Sequence, residues 1–491
     1  MLTRRLMLQS GAASGLASTL GPRARSQAGR RVLIAGGGLS GLCAAYELLQ
    51  RGFDPLVFEA APRAGGKIRT LREPFDDGLH VEAGALWLFS RLIEDYADRF
   101  GLTLIPIDNA LMNGPVHIEG VLVDQVPGET RWPDSLGLHA HEHGLSQSEM
   151  FARYGGGILS GGPLMQRAFG LDLTDFPYPQ LADLDAVSLV RFWRDGGASE
   201  GAIRVMSLGY LRQTGEGPER LSALSRVVEA ADMMDAAGRL PPFVIEGGND
   251  RLTAAFEAAL GERVVLNAPV RAIDQDAGGV RFSVMREGRV AEVRGDYAVC
   301  AVPLPMMGRI TFASGLSDLR REAIEAIAYD SVTRIFLQYR SRFWEAEGRS
   351  PSGTTEALSN ALYFSTVAQQ ASSPRGILES FAGGARARAF DAMGEEGALA
   401  RALADQSAFH PEAAAHYEKG RVFSWDDEPW QGGHQAFFAP GQLTRYFPAL
   451  QQAEGRLAFA GEHVAGVPGA SHSALAAAHA AVERLGAMAA L

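Results

Sequence analysis

Residues 31–70 read RVLIAGGGLSGLCAAYELLQRGFDPLVFEAAPRAGGKIRT, and this stretch decides the fold. Arg31 to Ala35 is a short apolar run, the signature of a strand buried in a parallel sheet. Gly36, Gly38 and Gly41 follow as G-x-G-x-x-G, with Leu39 and Ser40 inside the motif. Leu42 to Gln50 continues as a helix rich in Ala and Leu. A second apolar strand, Pro55 to Phe58, ends in Glu59. Gly36 permits the tight turn, Gly38 lets a pyrophosphate approach the backbone, and Gly41 lets helix and strand pack closely. N–H groups at the helix N-terminus then face the phosphates. Glu59, about 20 residues on, stands where a carboxylate accepts hydrogen bonds from ribose hydroxyls. The glycines alone are a weak signal. The flanking strand, helix and acid turn them into a Rossmann-type α/β dinucleotide unit.

Working outward, Arg63-Ala64-Gly65-Gly66-Lys67-Ile68-Arg69-Thr70 combines paired glycines with cations, a second phosphate cradle. Val81-Glu82-Ala83-Gly84-Ala85-Leu86-Trp87 precedes an amphipathic helix, Arg91 to Phe100. Residues 106–240 carry no dinucleotide signature; short strands at Pro115 to Val126 lead to helices at Ala186 to Trp193 and Leu221 to Ala237. The nucleotide unit resumes at Phe243-Val244-Ile245-Glu246-Gly247-Gly248 and a helix through Leu260. Strands follow at Val264 to Leu266, Val270 to Asp274, Val280 to Met285 and Val290 to Val293, with turns at Gly278-Gly279 and Glu287-Gly288. Tyr297 to Pro303 is a further strand. A helix at Asp318 to Ile327 and a strand at Val332 to Tyr339 fall in a second non-nucleotide stretch, 311–425. Arg456 to Glu462 is the closing strand, before a final helix.

The chain has 491 residues, long enough for two domains, and is 46% hydrophobic and 21% charged, as in ordinary globular enzymes. A net charge of −11 without a basic stripe argues against nucleic acid. Residues 1–28 differ from the rest. Arg4-Arg5 precedes a weakly apolar stretch, Gly11 to Leu20, and small-x-small sites follow near Ala24 to Ala28. This resembles a twin-arginine export signal, so a periplasmic location is expected. No stretch reads as a stable membrane span. The two cysteines, Cys43 and Cys300, read as small core residues. No H-E-x-x-H or Cys/His cluster is recognised, and no metal is expected.

Four motifs, in this order, resemble the flavin-containing amine oxidase family, which includes monoamine, polyamine and L-amino-acid oxidases. They are the opening loop with Glu59, Arg63-x-Gly65-Gly66, Gly247-Gly248 and Ala460-Gly461-Glu462. The resemblance spans about residues 30–490. It implies an FAD-binding domain (30–105, 241–310 and 426–491) interleaved with an α+β substrate-binding domain (106–240 and 311–425). It implies Glu59 at the adenosine ribose, Arg63 and Lys67 near the pyrophosphate and flavin, and the Val270 backbone at the adenine. Gly84 and Ala85 would adjoin the cofactor, and Glu462 would hold the ribityl and pyrophosphate region. The last helix, beginning near Ala474, would aim its N–H groups at the flavin pyrimidine and stabilise negative charge there. The family oxidises a C–N bond by passing a hydride equivalent to flavin N5, and the imine is then hydrolysed.

Several positions depart from the family. Lysine stands at 67 where arginine is usual, which keeps the charge and loses the fork. Arg334 stands where many oxidases hold a lysine near flavin N5, so a dehydrogenase using an acceptor other than oxygen competes with an oxidase. Trp425 leads to the flavin approach, where His434 and Ala470 replace the two aromatic cage residues. Gly433 replaces the cysteine of covalent members, so FAD is expected to be noncovalent. Trp87 stands where L-amino-acid oxidases carry a carboxylate-clamping arginine, which favours an amine without an α-carboxylate; Arg334 is an alternative clamp for an amino acid. An L-amino-acid oxidase, a C–C desaturase and a non-catalytic flavoprotein are the competing readings. The oligomeric state, homodimer included, is left open.

Overall fold

The computed structural model describes residues 29–108, 114–159, 179–210, 215–225, 242–346, 350–365, 373–464 and 469–490. The expected export segment lies outside them, as does most of the helix expected at Leu221 to Ala237. The first unit is β1 (Arg31–Ala35), α1 (Leu39–Gln50) and β2 (Asp54–Phe58). β3 (Val264–Val265) and β4 (Tyr297–Cys300) follow much later in the chain. β5 (Val332–Tyr339), β6 (Gly376–Gly383) and β7 (Tyr417–Ser424) belong to a second sheet. β8 (Leu457–Phe459) and α2 (Ser471–Ala490) return to the first.

The first sheet runs β8-β4-β1-β2-β3, with every neighbouring pair parallel. Successive strand side chains point to opposite faces. Val32 and Ile34 of β1 pack with α1, α2 and the helices Arg91–Phe100 and Asp250–Leu260. Leu33 and Ala35 face the other way, toward Ile273, Phe282 and Val284. Those three belong to an antiparallel meander, Val270–Asp276, Gly279–Arg286 and Arg289–Gly295. Each fully buried Val, Leu, Ile or Phe contributes about 1.5–3 kcal/mol, so a sheet covered on both faces requires the unbroken apolar run of β1.

The second sheet has seven strands, in the order β7-β5-β6, Ala361–Phe364, Gly353–Thr355, Val116–Ile118 and Val121–Val123. It is antiparallel except where Gly353–Thr355 meets Val116–Ile118. β5 is buried at every residue, although Thr333, Arg334 and Gln338 interrupt its apolar pattern. Both expected helices near the site begin sooner than expected, α1 at Leu39 rather than Leu42 and α2 at Ser471 rather than Ala474. The expected helix at Ala186 to Trp193 is Leu189–Asp195, started by the Ser188 hydroxyl accepting the Arg191 amide.

One buried cation ties the flank of the first sheet together. Arg320, on the helix Asp318–Ala326, is fully buried with its guanidinium 3.4 Å from the Phe459 ring centre. It donates to Glu454 at 2.8 Å and to the carbonyls of Ala449 and Gln452 at 2.6 and 2.7 Å. Replacing it strands a carboxylate and several carbonyls in the interior. Arg320→Met should destabilise the protein by about 3–5 kcal/mol, read as a fall in the urea midpoint; an unchanged midpoint would refute the bracing role.

Candidate functional site

A cleft of about 1330 Å³, partly open to solvent, lies at the C-terminal ends of β1, β2 and β4. Ligands bind outside the carboxyl ends of strands in open α/β sheets. The walls come from segments far apart in sequence. Gly36, Gly38, Leu39 and Ser40 supply one, with Glu59, Gly65, Gly66 and Lys67 beside them. Gly84, Ala85 and Val270 supply another, and Trp425 and His434 a third. Gly461, Glu462, Ala470 and Ala474 complete it.

Two helix N-termini meet there, since the first residues of both α1 and α2 line the cleft. Their unpaired N–H groups carry partial positive charge. Above Gly38 there is room: a Cβ built on it meets nothing nearer than Gly66 Cα at 3.8 Å. A Cβ on Gly41 would instead stand 2.0 Å from the Gly36 carbonyl oxygen, so this glycine serves the close contact of helix and turn and is not part of the cleft wall.

Glu59 is buried, and its carboxylate accepts the Gly37 amide at 2.6 Å and the Ala61 amide at 2.8 Å. Burial raises its pKa above the ordinary value, opposed by those amides. One hydrogen bond per oxygen leaves lone pairs for ligand hydroxyls. Across the cleft, Lys67 Nζ lies 3.0 Å from Glu462 Oε1 and 4.6 Å from the Tyr329 ring centre. Glu462 Oε2 accepts the Gly469 amide at 3.0 Å. Burial opposes the Glu462 charge, but Lys67 and its other partners outweigh it and hold the carboxyl below its ordinary pKa. Burial pushes His463 down to about 4, so this ring is neutral at pH 7.

Three buried polar atoms on the cleft residues have no hydrogen-bond partner among the described residues: Ser40 Oγ, His463 Nε2 and His434 Nδ1. Buried polar groups are ordinarily paired. With helix N-termini for phosphates, a carboxylate for ribose and orphaned groups along the wall, the residues present fit a dinucleotide cofactor. Sequence reasoning missed part of the wall, namely Ala301, Val302, Pro303, Met306 and Ile310. The signal was available, because they follow β4 at the carboxyl edge of the sheet.

Besides Gly41, three expected residues stand elsewhere. Arg63 donates to the carbonyls of Ala64 and Gly66 at 3.2 and 2.8 Å, bracing the loop instead of lining the cleft. Trp87 is absent from the lining; its ring packs 5.3 Å from Tyr363 and 6.2 Å from Phe364. Arg334 is also absent from it. Its Nε and Nη2 donate to the fully buried Glu379 at 2.6 and 2.8 Å, and Nη1 donates to the Gly84 carbonyl. Arg334 faces Phe381 across the β5–β6 ladder, so Glu379 is its diagonal neighbour on the same face. The expectation of a substrate clamp at Arg334 is corrected: the guanidinium is committed within the protein, behind the wall that Gly84 forms.

His434 lies between the Phe381 and Trp425 rings, at 6.3 and 6.2 Å. Trp425 is fully buried and donates its indole N–H to the Ala83 carbonyl at 2.9 Å. Behind His434 sits Asp330, fully buried, with Oδ1 3.4 Å from His434 Nδ1. That separation is within ion-pair range for a protonated imidazole, and no hydrogen bond of good geometry forms between the two. Asp330 is held by the amides of Gln435 and Gly215, both at 2.8 Å. Sequence reasoning did not single out Asp330, because no local pattern marks an acid that meets its histidine only through the fold.

Residues 39–485 match the family described as flavin containing amine oxidoreductase. An L-amino-acid oxidase of Pseudechis australis is 27% identical over 472 residues, covering 93% of this chain and 86% of that protein. One from Siganus canaliculatus is 27% identical, covering 88% and 81%. A wild-type putrescine oxidase bound to putrescine superposes with a TM-score of 0.77 at 22% identity, covering 93% of this chain and 99% of that one. Cyclohexylamine oxidase from Brevibacterium oxydans IH-35A gives 0.77 at 20%, covering 94% and 100%. At these identities the structural likeness speaks for the fold.

Lys67→Ala should leave Glu462 buried without its cation. A carboxyl depressed in the folded state adds stability above its unfolded pKa and loses it as pH falls through the folded pKa. In the variant that loss should begin at higher pH, and neutral-pH stability should drop by about 3 kcal/mol. Acid titration followed by circular dichroism checks this; an unmoved acid midpoint would contradict the pairing.

Proposed function

The chain belongs to the flavin-containing amine oxidoreductases, and we propose that it oxidises an amine lacking an α-carboxylate, with FAD held noncovalently. It is an FAD-dependent oxidoreductase acting on amines. Bound flavin supplies the acceptor for a hydride equivalent from the carbon next to nitrogen. The residues fitted to hold it are Gly38, Ser40, Glu59, Lys67, Glu462 and the first turn of α2.

The chain's own work is proton handling and orientation. An amine reaches the site as an ammonium ion, and only the neutral form gives up hydride readily. His434 lines the cleft, so its imidazole takes the ammonium proton, and the Asp330 carboxylate behind it stabilises the resulting imidazolium. Trp425, fully buried beside His434, backs the wall there and helps keep water from that exchange. Loss of a hydride equivalent from the neutral amine would leave an iminium ion, which water converts to a carbonyl compound and ammonium, or the corresponding alkylammonium when the substrate is a secondary amine.

The observation that carries the substrate class is the commitment of Arg334 to Glu379 and Gly84, which leaves that cation unable to receive a carboxylate. Noncovalent binding is supported by the cysteines. Neither lines the cleft, and burial pushes both thiols up to about 12. A second reading, oxidation of L-amino acids, is favoured by the sequence relatives.

One anaerobic titration separates the readings. Acid precipitation should first release the flavin. Primary, secondary and poly-amines should then bleach the oxidised-flavin band of the holoenzyme, and L-amino acids should not. Faster bleaching by amino acids would replace the proposal with the second reading. His434→Gln should slow reduction by about 100-fold or more. An unchanged reduction rate would remove His434 from the proton step.

A further inference from the structure

Away from the cleft, residues 139–143 read His-Ala-His-Glu-His. The run forms a turn between the 3₁₀ segment Asp134–Leu136 and the helix Gln147–Leu159. His139 and His141 are exposed, while Glu142 is fully buried. Ligand atoms of the three lie within 4.8 Å of one another. The sequence motifs singled out no Cys/His cluster; here alternate histidines come together because the turn folds back on itself.

The hydrogen bonds around Glu142 preorganise it. Its Oε1 accepts the Tyr154 hydroxyl and, at 2.9 Å, the Ser199 amide. Its Oε2 accepts the His139 amide at 2.7 Å. Tyr154 has one proton, and a carboxylate can only accept, so that proton goes to Glu142. The Tyr154 oxygen, 2.9 Å from His141 Nε2, must then accept from an Nε2–H. With Nε2 engaged by Tyr154, Nδ1 is the His141 nitrogen left to ligate a cation. A histidine whose other nitrogen donates to a partner is the usual outer arrangement of a metal-binding imidazole.

We propose that His139, His141 and Glu142 bind a borderline divalent cation of the Zn²⁺, Cu²⁺ or Ni²⁺ class. Two imidazoles and one carboxylate suit these ions and not Mg²⁺ or Ca²⁺, which want oxygen donors. Metal–nitrogen bonds are about 2.0–2.1 Å, so the ligand atoms must draw closer than they stand. The two exposed rings can make that adjustment by rotation, and water completes the shell. The cation would fasten the turn to the helix Gln147–Leu159 through Tyr154 and to the start of Glu200–Tyr210 through Ser199.

The test uses full-length, FAD-loaded protein stripped with chelator. Calorimetric titration with Zn²⁺ should give saturable binding at one site per chain. The His139→Ala/His141→Ala double variant, equal to wild type in flavin content and circular dichroism, should lose it. His143→Ala should keep it, and Tyr154→Phe should weaken it about 10-fold. With Cu²⁺ in place of Zn²⁺, electron spin-echo spectra should show two imidazole nitrogens. Absence of Zn²⁺ binding to the wild type, or equal binding by the double variant, would overturn the proposal.

Discussion

Two helix N-termini aimed into one cleft set the terms for everything around them. The partial positive charge at the starts of α1 and α2 is useful only if the sheet holds both helices at its carboxyl edge. That geometry demands parallel strands, and parallel strands demand cover on both faces. Helices on one side and an antiparallel meander on the other supply it. The remaining charges are placed to suit. Lys67 is balanced by Glu462 in the wall, and Arg334 is balanced by Glu379 behind it.

The balance explains why Arg63 and Arg334, though near the site, do not line it, whereas Lys67, Arg271 and Arg309 do. Arg63 spends its donors on loop carbonyls, and Arg334 spends its own on Glu379 and Gly84. Breaking such a buried pair leaves an uncompensated charge, which is far more costly than the pair is stabilising. These residues are therefore poorly suited to exchanging partners with each arriving substrate. His434 differs from them, because it faces the cleft and the Asp330 carboxylate beside it is already anchored by two amides.

What the sequence made legible follows from the range of each interaction. β1, α1 and β2 are local, and their apolar periods and glycines could be read directly. The helix starts were misplaced because the glycine and small-residue turns before them are themselves the first helical turn. Residue types at 334 and 434 could be read, but not their partners. Whether Arg334 meets a substrate or Glu379 depends on the register of β5 against β6, and no local pattern encodes that register. The histidine run at 139–143 was in plain view, yet its carboxylate ligand takes meaning only from Tyr154 and Ser199, supplied by other elements.

The cleft also has a history written into its connectivity. Its first wall is made near the start of the chain, and its last, from Gly461 to Ala474, is made after both sheets are otherwise complete. During synthesis the early β-α-β unit can collapse while the edge strand β8 and the helix α2 are still untranslated. A half-built cleft lacks the carboxylate of Glu462 and one of its two helix ends. Cofactor loading is thus a late event, coupled to completion of the polypeptide, and any truncation that removes the final helix should yield a chain that never turns yellow.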